Sequence, residues 1–172
     1  HPIIEENKDV FQLGLTALSK LTKGKVFLTL KDEIKFEDVQ VQKISGPHPA
    51  GNVGIQIHHT KPLKPNEVIW TVNAQHVITL GRLFKTGIYD PKITILVGGS
   101  GSNKPESLKV TTGASIHSIM ENQKIDNAVR IISGDVLTGT TVTEKDYVGF
   151  YDSTITILDD NVKRPFLGML SL

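Results

Sequence analysis

The chain contains no cysteine, and this absence removes several kinds of chemistry at once. Without thiols there is no disulfide framework, no thiolate metal site and no cysteine nucleophile. Aromatic residues are also scarce, at 6% of 172 residues, so the core is expected to be mostly aliphatic. No apolar run reaches the roughly 18 residues that a membrane-spanning helix needs. Any membrane association is therefore expected to come through a partner protein.

An excess of charge of one sign is missing as well. The formal net charge is +1 at pH 7, and no long basic run forms a phosphate-binding stripe. We therefore expect no nucleic-acid partner. What remains is the composition of an ordinary globular protein, rich in the Val, Ile and Thr residues that favour strands.

The first half of the sequence alternates predicted helices and strands. Apolar residues at helical spacing predict a helix near the start, and strands are predicted at Lys25–Leu30 and Val39–Ile44. Asn73 is the predicted N-cap of another clear helix, which Gly87 is expected to end. This order predicts a partial Rossmann-like α/β layer, which we place at residues 1–88.

The second half is typical of a β-grasp unit. Strands are predicted at Lys92–Val97, Ser107–Thr112 and Ala128–Ile132, and a short helix opened by Ser115 precedes the third strand. A hairpin, a short helix and a strand in this order outline the β-grasp, which we place at residues 89–139.

The last segment, residues 140–172, is predicted to add C-terminal strands. Tyr147–Tyr151 and Thr154–Leu158 have the pattern of the two arms of a hairpin, and Asp159–Asn161 reads as a further turn. Two packings stay open at this point. The segment either completes a sheet in the first domain or forms a hairpin of its own.

The most distinctive local motif is Gly46–Gly51 (GPHPAG), which continues to a third glycine before a short helix predicted from Asn52 to about His59. Free backbone N–H groups at a helix N-terminus can receive an anion. The candidate anion- or ligand-binding residues are Gly46, His48, Gly51 and Gly54. The motif lacks the Lys and the Ser or Thr of a Walker loop, and it lacks G-x-G-x-x-G spacing. The alternative is a proline-stiffened turn that fixes how a strand meets a helix.

Other candidate sites have less support. His48, His58 and His59 are close in sequence, but adjacent histidines on a helix point about 100° apart and cannot easily share a metal ion. Ser100 lies in a Gly-Ser-Gly turn without the strand-to-helix corner of a hydrolase nucleophile. We therefore expect no metal site and no catalytic residue.

Three aromatic residues, Trp70, Phe84 and Tyr89, bracket the helix that follows Asn73. Aromatic side chains beside a helix line a quinone or flavin pocket in some proteins, but more often they fill a core. We expect these three in the core. The residues by themselves thus predict an α/β protein with a β-grasp unit and no catalytic signature.

An ordered series of segments resembles the NqrA family. GPHPAG at residues 46–51 is similar to the most recognisable stretch of that family. Further similar segments, in chain order, are Phe11–Phe27, Trp70, Gln75, Val77–Ile78, Gly81–Gly87, Gly113–Ser115 and Val129–Gly139, with weaker likeness at Gly149, Tyr151 and Phe166–Gly168. The series keeps its order over nearly the whole chain, which is more specific than any single motif.

The resemblance implies a peripheral subunit of the bacterial sodium-translocating NADH:quinone reductase, on the cytoplasmic side of the inner membrane and docked on the membrane subunit NqrB. Catalysis would belong to the complex, because NADH, the flavins and the iron–sulfur centre are held by other subunits. Quinone binding is attributed to the family, without a residue to assign here. The implied fold is that of the NADH-oxidising subunit of complex I, including a soluble-ligand-binding (SLBB-type) β-grasp domain. Because no Met precedes His1, we expect an internal piece of a longer polypeptide.

Two other functions stay open. The chain could belong to a flavin-binding redox protein related to the complex I subunit or to RnfC, and the purified full-length protein would then be yellow. It could also be a free-standing module whose β-grasp half recognises a soluble small molecule or glycan, and its ligand would then raise its thermal stability.

Overall fold

The structure is a computed structural model of the chain, and it describes residues 2–31, 34–121, 123 and 128–160. The chain divides into two compact units, His1–Asp90 and Pro91–Leu172, called unit 1 and unit 2 below. Each unit has a hydrophobic core of its own. In the described ranges no helix combines the length and the apolar character needed to cross a bilayer.

Unit 1 combines helices with a small parallel sheet. Its elements are α1 (Pro2–Glu6), α2 (Lys8–Leu21), β1 (Phe27–Leu30), β2 (Gln40–Lys43), α3 (Val53–Thr60) and α4 (Ala74–Thr86). β1 and β2 pair in parallel, from Phe27 opposite Gln40 to Leu30 opposite Lys43. Both strands lie where the alternation of apolar residues predicts them.

The core of unit 1 forms where α2 and α4 pack on this sheet. Its buried members are Ile4, Phe11, Leu15, Leu30, Val77 and Ile78. Phe11 also makes an edge-on ring contact with Phe36, with centroids 5.2 Å apart. These aliphatic contacts fit the low aromatic content of the chain.

Two glycines allow α2 and α4 to approach each other closely. A Cβ atom at Gly14 would overlap the carbonyl oxygen of Val77, and one at Gly81 would overlap the carbonyl oxygen of Val10. Each helix therefore presents a glycine to the backbone of the other. A larger residue at either position would force the two helices apart.

Both ends of α4 follow the sequence prediction. The Asn73 side chain accepts a hydrogen bond from the backbone N–H of Gln75 at 2.9 Å, as an N-cap does. At the other end Gly87 adopts a left-handed φ of 73°, and its N–H donates to the carbonyl of Leu83. This is the glycine-terminated helix end that the sequence predicts.

Unit 2 is a five-stranded mixed sheet with one short helix. Its elements are β3 (Lys92–Gly98), β4 (Glu106–Thr111), α5 (Ile116–Met120), β5 (Val129–Ser133), β6 (Thr140–Val142) and β7 (Thr154–Asp159). The strand order is β4-β3-β7-β5-β6. β3 is antiparallel to β4 but parallel to β7, and β5 is antiparallel to both β6 and β7. This arrangement confirms the predicted β-grasp.

One face of the sheet carries the core of unit 2. Residues of β3 alternate between buried and more exposed, so that Ile93, Ile95 and Val97 point inward, and the same alternation buries Ile155 and Ile157 on β7. α5 covers this face with its own buried residues, Ile116, Ile119 and Met120.

The packing of the segment after Gly139 differs from both predicted alternatives. β7 lies between β3 and β5 in the sheet of unit 2, so it neither joins a sheet in the first domain nor pairs with its own neighbour. The predicted hairpin with Tyr147–Tyr151 is wrong. The N–H of Val148 donates instead to the carbonyl of Ala114, and the chain then turns between Gly149 and Asp152.

Two sequence features fall outside the described residues. The weak likeness at Phe166–Gly168 lies there, as does Asn161 of the last predicted turn.

Candidate functional site

The GPHPAG loop connects β2 to α3 through two overlapping turns. The N–H of Ala50 donates to the carbonyl of Pro47 at 3.0 Å, and the N–H of Asn52 donates to that of Pro49 at 2.8 Å. The peptide bond between His48 and Pro49 is cis. The loop is thus a defined connection between a strand and a helix.

The side chain of Gln56 ties this loop to α3. Its amide nitrogen donates to the carbonyls of Gly51 at 3.0 Å and Ala50 at 3.4 Å. Sequence reasoning missed this residue. The available signal was its position four residues after the predicted N-cap, where a helical side chain can reach back toward the preceding loop.

The first turn of α3 has backbone donors without a capping side chain. Asn52 lies at the N-cap with extended backbone angles, yet its side chain makes no capping hydrogen bond. A Cβ atom added at Gly51 or Gly54 would meet nothing within 4 Å, and both glycines are exposed. Such a helix N-terminus is electropositive and open to an approaching anion.

The predicted binding residues lie together in this exposed loop and at the start of α3. Gly46 has a φ of 135°, in the region that favours glycine, and His48 is exposed. Gly51 and Gly54 flank the N-cap position. Binding itself stays a prediction for all four residues.

The connector after α3 is held by a carboxylate that the sequence analysis did not single out. Glu67 accepts a hydrogen bond from the backbone N–H of Lys64 at 3.1 Å and from the Lys61 ammonium at 3.3 Å. These two hydrogen bonds, the backbone one first, hold the pKa of the Glu67 carboxyl below its ordinary value. The connector is therefore closed by its own charges.

The histidines of α3 pack on each other. The rings of His58 and His59 make an edge-on contact, with centroids 5.2 Å apart. In the described part of the chain, no three His, Asp or Glu residues come together in a way that could hold a metal ion.

The Gly-Ser-Gly turn of unit 2 packs against β7. A Cβ atom at Gly99 would overlap the carbonyl oxygen of Ile157, and the N–H of Gly101 donates to that same carbonyl at 3.0 Å. The Ser100 hydroxyl accepts from the N–H of Asp159 at 3.2 Å. These contacts give the turn a structural role in holding the end of β7.

A second polar contact that sequence reasoning missed lies at the other end of β5. The buried Ser133 hydroxyl donates to the Asp152 carboxylate at 2.6 Å and accepts from the N–H of Gly149 at 3.0 Å. It fixes the turn that leads into β7. Its hydrogen-bonding groups are used within the fold.

Two family models match the chain. The model described as "NqrA second alpha/beta domain" matches residues 1–89, and the SLBB model described as "NQRA C-terminal domain" matches residues 94–144. The first alone covers more than half of the chain. The chain belongs to the NqrA family.

Relatives with high coverage are named as the A-type subunit of the Na(+)-translocating NADH-quinone reductase. The protein from Neisseria meningitidis serogroup B is 35% identical over 98% of this chain, and that from Psychromonas ingrahamii is 40% identical over 96%. The protein from Shewanella denitrificans is 37% identical over 96%. The chain spans only 38–39% of the length of these relatives.

The two NqrA models follow the two units of the structure closely but not completely. The first match, residues 1–89, ends one residue before the end of unit 1 at Asp90. The second match stops at residue 144, whereas β7 begins at Thr154 in the middle of the same sheet. The β-grasp of this NqrA-family chain therefore includes a strand beyond the matched region.

The expected core position of three aromatic residues is wrong. Trp70 is 82% exposed, and Phe84 and Tyr89 are also more than half exposed. For Phe84 the reason is geometric. Gly81 already faces Val10 near the start of α2, so Phe84 lies beyond most of the helix pair. In this NqrA-family chain the aromatic side chains are surface features.

Proposed function

We propose that this chain forms part of the NqrA subunit of a sodium-translocating NADH:quinone reductase. The observation that carries the proposal is the match to proteins named as that subunit over 96–98% of the chain, with both family models in the same order. Because the chain spans 38–39% of those relatives, the activity of the whole complex is part of the proposal.

The proposed role is assembly of the complex, with quinone binding as a further part of it. The protein would be peripheral, on the cytoplasmic side of the inner membrane, with the membrane subunit NqrB as its main partner. NADH oxidation, the flavins and the iron–sulfur centre would belong to other subunits. The arrangement of the described residues supports this division only indirectly, in that the polar contacts found in unit 2 are used to hold its own turns.

Co-purification tests this proposal. The full-length protein would be tagged in its own cells and isolated in mild detergent from membranes. We expect membrane-embedded partners to elute with it, together with NADH-dependent quinone reduction that sodium ions stimulate. Recovery of the tagged protein alone would contradict a subunit role. A yellow protein that holds flavin without partners would support the flavin-binding alternative instead.

We also propose that Gly46, His48, Gly51 and Gly54 form an anion-binding loop at the N-terminus of α3. The support is the exposed position of these residues and the absence of a side-chain cap on this helix end. The anion would accept hydrogen bonds from the backbone N–H groups of the first turn. A polar ligand headgroup of the same chemistry would bind in the same way.

Titration of inorganic phosphate followed by NMR of the backbone amides tests the loop. We expect saturable shifts limited to residues 46–56, with chloride at equal ionic strength as the control. Gly54→Pro removes one N–H donor at the helix start and should weaken the response. Shifts that do not saturate, or that spread evenly over exposed amides, would show that the loop does not bind anions.

A further inference from the structure

The stretch from Gly46 to Asn73, called the exposed segment below, contains no buried residue. It nevertheless carries six large apolar side chains that are exposed. They are Val53, Ile55, Leu63, Val68, Trp70 and Val72. Scattered surface hydrophobics are ordinary, but this concentration within a single segment of a globular fold marks a contact surface.

The end of the exposed segment has the form of a strand without a partner. Val68, Trp70 and Val72 alternate in an extended stretch, so their side chains lie on one side of the backbone. The backbone of residues 68–72 forms no hydrogen bond with another residue in the described ranges. An extended backbone with free N–H and C=O groups and one apolar side is suited to pairing with another strand.

The sheet of unit 1 is also incomplete as an α/β layer. It has two parallel strands, and its side chains that pack on α2 and α4 include Leu28, Leu30 and Val41. Parallel sheets normally have both faces covered, and two strands alone are marginal in water. Phe27 on β1 is 36% exposed. Unit 1 therefore has both an uncovered segment and an unfinished sheet.

Within one polypeptide both features would be completed by the same contact. A separate protein usually docks on a domain that is already folded, whereas finishing a sheet and covering a long exposed stretch is part of folding the chain itself. The relatives provide the required length, because the matched region is only 38–39% of each. The family model for unit 1 is described as the second α/β domain.

We propose that the exposed segment packs against a further domain of the same polypeptide, in a protein as long as these relatives. The apolar side chains around Trp70 would fill a hydrophobic face of that domain, and the stretch 68–72 would pair with one of its strands. The proposal rests on the proposed identity as part of the NqrA subunit, since that identity supplies the additional chain.

Photo-cross-linking in the assembled protein tests this contact. p-Benzoylphenylalanine would replace Trp70 in the full-length protein in native membranes, and adducts would be mapped by mass spectrometry. The same probe at Leu137, which is 85% exposed in unit 2, is the matched control. We expect adducts from position 70 several-fold above those from position 137, located in the same polypeptide outside residues 1–172.

The other outcomes overturn the proposal. Adducts to another protein of the complex, to lipid or to residues within 1–172 would identify a different occupant, and the absence of adducts would mean that nothing covers the segment. The same preparation reports on the proposed function independently, because its co-purifying partners are identified before irradiation. Partners without an intrachain adduct would reject only the contact, whereas an intrachain adduct without partners would reject the subunit role.

Discussion

Aspartates at two tight turns of unit 2 accept several hydrogen bonds each. Asp135 accepts from the Thr138 hydroxyl at 2.7 Å and from the N–H groups of Leu137 and Thr138. Asp146 accepts from both the N–H and the hydroxyl of Thr143 at 2.8 Å. These bonds favour the ionised carboxylates. The Thr138 hydroxyl contributes most to lowering the pKa of Asp135, and the Thr143 N–H most to lowering that of Asp146.

Acid should therefore destabilise unit 2 in part through these turns. A carboxyl whose pKa is lower in the folded than in the unfolded state stabilises the fold above its unfolded pKa, and this contribution is lost as the pH falls through the folded pKa. We expect the urea midpoint to fall with decreasing pH in the acidic range, and to fall less steeply in Asp146→Asn.

Asp9→Asn is the matched control for this pH series. Asp9 is exposed on α2 and accepts no hydrogen bond in the part of the chain that the structure describes. Its replacement should leave the slope unchanged. Equal slopes for Asp146→Asn and the unaltered chain would show that the turn carboxylate is not linked to stability.

At the scale of single residues, the sequence predicted the location of the candidate loop but not its internal contacts. GPHPAG is a local pattern, and glycine and proline restrict the backbone wherever they occur. The Gln56 contact depends on where a flexible side chain ends, and the exposure of Trp70 depends on what packs around it. Neither can be read from composition, because aromatic residues serve both cores and contact surfaces.

The closest approach between elements is the crossing of α2 and α4 at Gly14 and Gly81. Because a Cβ atom at Gly81 would overlap backbone atoms of Val10, Gly81→Ala must displace a helix. We expect the free energy of unfolding of unit 1 to fall by about 1–3 kcal/mol, or more, since overpacking costs this much in well-packed cores. Chemical denaturation followed by circular dichroism measures the effect.

Gly54→Ala is the control for the helix crossing. Gly54 also lies in a helix, but a Cβ atom there would meet nothing within 4 Å. Alanine should raise stability by up to about 1 kcal/mol, because it restricts the unfolded chain and favours helix. If both alanine variants changed stability in the same direction by the same amount, the close crossing would not be what requires glycine at position 81.

Elements with local signals were predictable, whereas their partners in the sheet were not. α4 begins at an Asn cap and ends at a left-handed glycine, and β3 alternates clearly. β6 is three residues long and gives no periodic signal. Tyr147–Tyr151 has strand propensity, yet Val148 pairs with Ala114 and the rest turns. Strand propensity describes a half-buried surface and does not specify which neighbour a strand will find.

For unit 2 as a whole, the boundary of the fold lies beyond the region that the family model matches. A chain ending after residue 144 would lack β7, which pairs with β3 on one side and β5 on the other. It would also lose the buried Ile155 and Ile157. We expect this shortened chain to show no dispersed NMR spectrum for unit 2. A chain ending after Asp160 keeps every strand described and should retain the spectrum. A folded spectrum from the shorter chain would contradict the central role of β7.

The position of β7 also sets the order in which unit 2 can fold during synthesis. β3 and β5 leave the ribosome before β7, yet neither pairs with the other, and the space between them is filled by a strand that emerges after both. The β3–β4 and β5–β6 hairpins can form early from nearby residues, but they remain two separate halves until residue 159 is available. Non-local pairing of this kind slows folding. During that interval both inner edges are open to other nascent chains, so this unit should depend more on chaperones than unit 1.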